Sequence, residues 1–314
     1  MPAVPVIERE ERTLSLFGRR IPVVVAAGAV AVVAAWFGIV YFAEPWGQSL
    51  LPSGMDARCY WVPTFADPYL HSNWTDQIAY PYSPAFLQLL APIKGLEWQA
   101  FMAVWAAVLL AALVTITGPR LILVGLAWFG LMEAWGGNIE LLVGLAILLG
   151  FRWPAAWSFV LLTKIAPGVG LLWFAVRREW KSLFVAFAAT AVVVAISFAL
   201  LPDAWFRWPQ VLMNNMGKGG TWAAVPIPFL VRLPFAVALI VWGAFRNQRW
   251  VVPIGSMLAL PALWYGGLSI ALVALPLVGA KSWADVLRVG REAVVQAADW
   301  RALLTLRPRA TTGS

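Results

Sequence analysis

The sequence predicts an all-α integral membrane protein: a multi-span helical bundle of about ten transmembrane segments, with short interfacial helices in its external loops. Three observations carry this. Apolar residues make up 61% of the 314 and charged residues only 12%, against roughly 45–50% and 25% in soluble domains, so no water-facing surface can be assembled. The apolar residues fall in successive runs approaching the roughly 20 residues that a helix needs to cross a hydrocarbon core. The cations collect in short loops and tails between those runs.

Taken in order, the segments run at 21–43, 84–95, 97–117, 120–135, 138–151, 154–175, 182–201, 222–245, 250–264 and 266–280. The first is too long for a signal-peptide core and lacks a small-residue cleavage site after it, so it reads as a retained span. The run at 84–95 is the shortest, rising only about 18 Å as a helix. These segments divide the chain into an N-terminal tail (1–20), a polytopic domain (21–280) with external loops at 44–83 and 202–221, and a C-terminal tail (281–314).

The net charge of +8 is topogenic. Arg9, Arg12, Arg19 and Arg20 precede the first run, Arg177, Arg178 and Lys181 form one loop, Arg246 and Arg249 another, and six more cations follow from Lys281 to Arg309. Alternating sides from a cytoplasmic N-terminus places all of these inside, with Lys94, and leaves Arg58, Arg120, Arg152, Arg207 and Lys218 outside. That asymmetry predicts a plasma (inner) membrane protein with both termini cytoplasmic. It argues against nucleic acid as a partner. A single cysteine, Cys59, excludes an internal disulfide or a Cys-based metal cluster.

Both external loops are rich in aromatics, with Trp46, Tyr60, Trp61, Tyr69, Trp74, Tyr80 and Tyr82 in the first and Trp205, Phe206 and Trp208 in the second. An aromatic belt at headgroup depth explains each one singly. Two such loops over one bundle also suit a cavity that handles a lipid or a sugar. Among the ionisable residues there, Asp56 is the candidate general base: Gly54 permits a sharp turn before it, and Tyr60 falls one helical turn later. His71 stands alone in its loop, where solvation is the ordinary fate of a histidine.

Gly54-Met-Asp56 with Tyr60, followed by Tyr80-Pro-Tyr-Ser-Pro84 opening the next segment, resembles the polyprenol-phosphate-mannose-dependent mannosyltransferases of glycosyltransferase family 87, a group with the GT-C fold. Trp135-Gly-Gly-Asn-Ile-Glu140 is similar to that family's Gly-Gln-x-Asn stretch, Lys164-Ile-Ala-Pro167 to its Lys-x-x-Pro, and Pro261-Ala-Leu-Trp264 to a late Pro-x-x-Trp. The segments occur in the family's order. The resemblance implies an inverting hexosyltransferase that takes a sugar, mannose in the family, from a polyprenyl-phosphate donor to a lipid or glycan hydroxyl on the outer face, with Asp56 as base. It points to Tyr60, Tyr82, Asn138, Lys164 and Trp264 as donor or acceptor contacts. One departure stands out: where many relatives carry His after the late Trp, this chain has Tyr265-Gly-Gly267.

Lys164 sits inside an apolar segment, where a charge costs about 2.5–3.5 kcal/mol on insertion scales and so faces a partner or a cavity. Two readings stand side by side: an ion pair with Glu133 or Glu140, or a point-charge contact to the donor phosphate. Arg232, among Pro226, Pro228 and Pro234, is a second candidate phosphate contact, because prolines in a spanning helix are tolerated where it lines a cavity. No His, Asp or Glu cluster has metal-ligand spacing, and no Gly-rich phosphate loop follows a strand, so neither a cofactor nor an obligatory metal is expected. The competing class is a lipid or small-molecule transporter, which calls for inverted repeats and midplane charges that the sequence does not display.

Overall fold

The structure, a computed structural model, describes residues 54–73, 78–118, 121–215, 225, 227–280, 285 and 288, and the backbone of Thr13–Leu16 and Arg19–Pro22. Those two N-terminal pieces, β1 and β2, pair antiparallel with Thr13 opposite Pro22. They depart from an all-helical chain. The expected first span at 21–43 lies outside the described residues, apart from its opening overlap with β2.

The other regular elements among the described residues are helices. In chain order come α1 (Met55–Trp61), α2 (Pro84–Leu89), α3 (Ala91–Lys94), α4 (Trp98–Thr117), α5 (Ile122–Gly136), α6 (Glu140–Gly150), α7 (Pro154–Thr163), α8 (Ala166–Val176), α9 (Trp180–Leu200), α10 (Pro202–Asn215), α11 (Phe229–Arg246), α12 (Val251–Leu258) and α13 (Gly266–Leu277). By length and composition α4, α9 and α11 can each cross a membrane, and α5 with α6, bent by 118°, counts as a fourth if taken as one span. Ten crossings therefore exceed what the described helices display.

The shortfall has identifiable causes. The segment at 84–95 does not run from one side to the other. Pro92 follows the end of α2, and Lys94 Nζ returns to donate to the carbonyls of Tyr60 and Trp61, both at 2.8 Å, closing the C-terminal end of α1. Trp61 Nε1 donates to Leu96 O nearby. Lys94 therefore stands at the Asp56 end, opposite to the side that alternation gave it. The segment at 154–175 is interrupted at Lys164, whose backbone is extended at φ −136°, ψ 98°. Beyond it α8 doubles back along α7, so that Gly168 lies against Leu161 and Phe174 packs edge-on against Trp157.

The interior is built from one face of α4 (Phe101, Trp105, Leu109, Leu113, Ile116) packed on α6 and α13, with α7, α8, α11 and α12 completing the bundle. Between lipid-soluble surfaces, close packing rather than water exclusion supplies the contact energy. The chain ends of these helices sort into two groups. At one end Trp208 Nε1 donates to Pro81 O, Asn215 Nδ2 to Ser72 O, and Arg207 pairs with Asp67, so α10 is tied over the first loop. At the other, Arg177 Nη1 donates to Ala244 O and Arg249 lies over Phe151. Arg152, placed outside by alternation, follows Phe151 and belongs to the same end as Arg177 and Arg249.

Candidate active site

The site begins with a glycine. Gly54 adopts φ 70°, ψ 25° at the start of α1, and its N–H donates to Trp135 O at 2.8 Å. A β-carbon there would meet Met102 Sδ at 2.6 Å, so the position admits neither the strain nor the bulk of another residue. Opposite it, Gly137 closes α5 at φ 74°, and a β-carbon would stand 2.6 Å from that of Ala57. Trp105 Nε1 fixes this turn by donating to Gly137 O at 2.6 Å. Two left-handed glycines thus let the first turn of α1 nest against the α5–α6 turn.

Asp56 is the side chain that this nesting presents. Its carboxylate stands 3.4 Å from where a β-carbon on Gly136 would be, and it accepts a hydrogen bond from the Asn138 side chain. Asn138 Oδ1 accepts from Ile139 N at 2.7 Å and from Tyr60 OH at 3.1 Å, which leaves its amide N–H groups for Asp56. Tyr60 OH lies 3.2 Å from Tyr82 OH; with Tyr60 donating onward, Tyr82 is the donor of that pair. A directed chain therefore runs from Tyr82 through Tyr60 and Asn138 to Asp56. Burial, and secondarily the negative charge of Glu140, push the Asp56 carboxyl up to about 6, with Lys164 and the Asn138 bond opposing. Burial also lifts both tyrosine hydroxyls above their ordinary range, so they stay protonated as donors.

Behind Asp56 lies a buried charged group. Glu140, 1% exposed, opens α6 and takes Lys164 Nζ in an ion pair through Oε1. Glu133, 2% exposed, caps the same helix by accepting Glu140 N–H at 2.7 Å. Gly266 packs flat on Glu133 Oε2, where any side chain would collide with the carboxylate. That contact gives a physical reason for glycine at 266. The sequence offers Glu133 and Glu140 only as partners for Lys164; that both lie behind Asp56 was not legible, because it depends on the 118° bend between α5 and α6.

Arg232 is committed to backbone carbonyls. Arg232, 5% exposed, donates to the carbonyls of Ile227 (2.8 Å), Leu258 (2.6 Å) and Pro261 (3.0 Å). It clips the start of α11 to the connection between α12 and α13, which carries the partly buried Trp264 and leads to Gly266. His71 lines a hollow of about 50 Å³ with Val62, Thr64 and Asp67, far below the roughly 300 Å³ of a ligand pocket, and Asp56 is not part of its lining. Among the described residues no group of three or more His, Cys, Asp or Glu could hold a metal ion.

A buried carboxyl beside Asn138, Glu140 and Lys164, at one end of an apolar helical bundle, marks the candidate site of a membrane protein. A family model, glycosyltransferase family 87, matches residues 80–297, more than two thirds of the chain. The chain belongs to that family of membrane glycosyltransferases. The match takes in Tyr82, Asn138, Lys164, Arg232 and Trp264 and begins downstream of Asp56. No curated protein and no solved structure matches the chain.

Proposed function

We propose that this glycosyltransferase uses a polyprenyl-phosphate sugar, with mannose as the sugar, and transfers it to a hydroxyl of a lipid or glycan acceptor. Asp56 takes the hydroxyl proton as the acceptor oxygen bonds to the anomeric carbon. The bond from that carbon to the phosphate oxygen breaks, and its electron pair leaves with the polyprenyl phosphate. The observation that carries this reading is the directed chain Tyr82, Tyr60, Asn138 to Asp56, which orients a carboxyl whose pKa of about 6 suits a base near neutrality. Lys164, close enough to lower that pKa, is the cation assigned to the leaving phosphate; a phosphate arriving there competes with Glu140 for it. Tyr60, Tyr82 and Asn138 then act by positioning the base, Arg232 by holding the connection that bears Trp264, and Trp264 as an apolar contact to donor or acceptor. The transporter alternative finds no support in the family assignment.

Ten crossings and the GT-C arrangement remain part of this proposal, redistributed: 84–95 drops out as a re-entrant element, and 154–175 counts twice, as α7 and α8. Both termini then still share one side, in the plasma membrane with the Asp56 end outward. Leu70, 71% exposed, replaced by Cys in a Cys59→Ala chain, reacts with an impermeant maleimide from outside; reaction only after permeabilisation inverts the orientation. Cys59 itself is a poor reporter, since burial pushes its thiol up to about 12. The reaction is tested with purified protein in proteoliposomes supplied with polyprenyl-phosphate mannose. Release of polyprenyl phosphate in step with mannosylated product is expected. Turnover of a nucleotide sugar instead overturns the donor.

A further inference from the structure

We propose that the end of the bundle opposite Asp56 binds the headgroup of an anionic phospholipid, in a guanidinium ring made by Arg177, Arg246 and Arg249. Topogenic cations need only be present in a loop; these three are built into the protein. Arg249 lies 5.6 Å over the ring of Phe151, Phe151 packs 5.9 Å from Trp173, and Arg177 lies 5.2 Å over Trp173. Arg177 Nη1 reaches Ala244 O at 3.2 Å, in the last turn of α11, the turn that carries Arg246.

Among the described residues the one carboxylate paired in this group is Glu179, on Arg177. Of the described carboxylates, Glu179 is held by Arg177 Nε at 2.7 Å and Asp285 by Arg288, and none of the ion pairs reaches Arg246 or Arg249. Arg246 Nη2 is buried and has no hydrogen-bond partner among the described residues. Leaving a buried charged donor unsatisfied costs more than making the bond gains, so an anion is the group this place is short of. The surroundings say which anion. Trp153 and Trp180, both more than half exposed, stand at the same end, at the depth where amphipathic rings meet headgroups. A phosphodiester at that depth, with its acyl chains along the apolar helix faces, meets both requirements, as basic pockets between spanning helices do.

The test uses the full-length protein in nanodiscs made from phosphatidylglycerol or phosphatidylcholine of identical acyl chains, with bound lipid read by native mass spectrometry after detergent exchange. Phosphatidylglycerol is expected to be retained about tenfold more than phosphatidylcholine, and millimolar inorganic phosphate should leave it in place. Arg246→Gln with Arg249→Gln should remove the preference while the chain stays monodisperse and folded in phosphatidylcholine. Equal retention of the two lipids by the unaltered protein, a preference that survives both substitutions, or displacement by inorganic phosphate would each overturn the proposal; the first needs no variant.

Discussion

Helix α9 and the α5–α8 stretch are both apolar in sequence but have opposite uses in the molecule. α9 is 21 residues of unbroken helix with only 11% of its span buried, so it meets lipid on nearly every side. The α5–α8 stretch is broken at Phe129, at Gly137 and at Lys164, leaves Leu123, Trp128, Leu131 and Met132 exposed on α5, and buries Glu133, Asn138 and Glu140 beside the partly buried Lys164. Breaks are expensive in hydrocarbon unless protein rather than lipid surrounds the loosened backbone. Irregularity is therefore confined to where the site is, and the regular helices surround it.

The sharpest way to break this comparison is to make one substitution on each side of it. Gly137→Ala forces a β-carbon into a left-handed turn and onto Ala57, a combined cost of about 2–5 kcal/mol, and should prevent folded protein from accumulating or abolish its activity, as read by size-exclusion profile and transfer rate. Phe184→Ala on α9, where Phe184 is 73% exposed, should change stability by no more than about 0.5 kcal/mol, since only lipid contact is lost. Comparable losses at both positions would refute the division.

Lys164→Met strips the buried Glu140 of its partner. Such a one-sided break costs about 3–5 kcal/mol in stability, so accumulation should fall, and folded protein that remains should show a raised KM for the lipid-phosphate donor. Lys164→Met together with Glu140→Gln removes the stranded charge and should recover folding without recovering donor use. Recovery of both would make the pair purely structural.

A smaller effect is expected from pH. As the proposed base Asp56 acts ionised, and its pKa is raised to about 6; kcat/KM should therefore fall as pH drops through about 6, losing about tenfold per unit below it. An acid limb centred near 4, the ordinary carboxylate range, would mean that Asp56 is not held as described.

How much of this was legible follows from the same contrast. α4 and α9 are uniform apolar runs, and hydropathy finds them within two residues of their bounds. The Asp56 turn was legible too, because a glycine before an acid and a tyrosine four residues on state a local geometry. The reversals at 84–95 and at Lys164 were not: hydropathy records that a segment is apolar, not whether it continues, and the evidence for turning lies in Lys94 reaching Tyr60 O and Trp157 meeting Phe174. Arg232 shows the same limit. Its prolines signalled an opened helix, but the groups it satisfies, the carbonyls of Leu258 and Pro261, come from distant sequence.

The central claim, that the irregular end carries the chemistry through Asp56, is tested most directly by measuring transfer from polyprenyl-phosphate mannose in proteoliposomes for Asp56→Asn beside Asp67→Asn and Asp76→Asn. Asn keeps the size of the side chain and can still meet Asn138, but it cannot accept the proton. The account predicts a loss of about 10²–10⁴ at Asp56 with donor binding retained, and much smaller losses at the two controls. A loss below about tenfold at Asp56, or an active Asp56→Asn beside an inactive control, would contradict it.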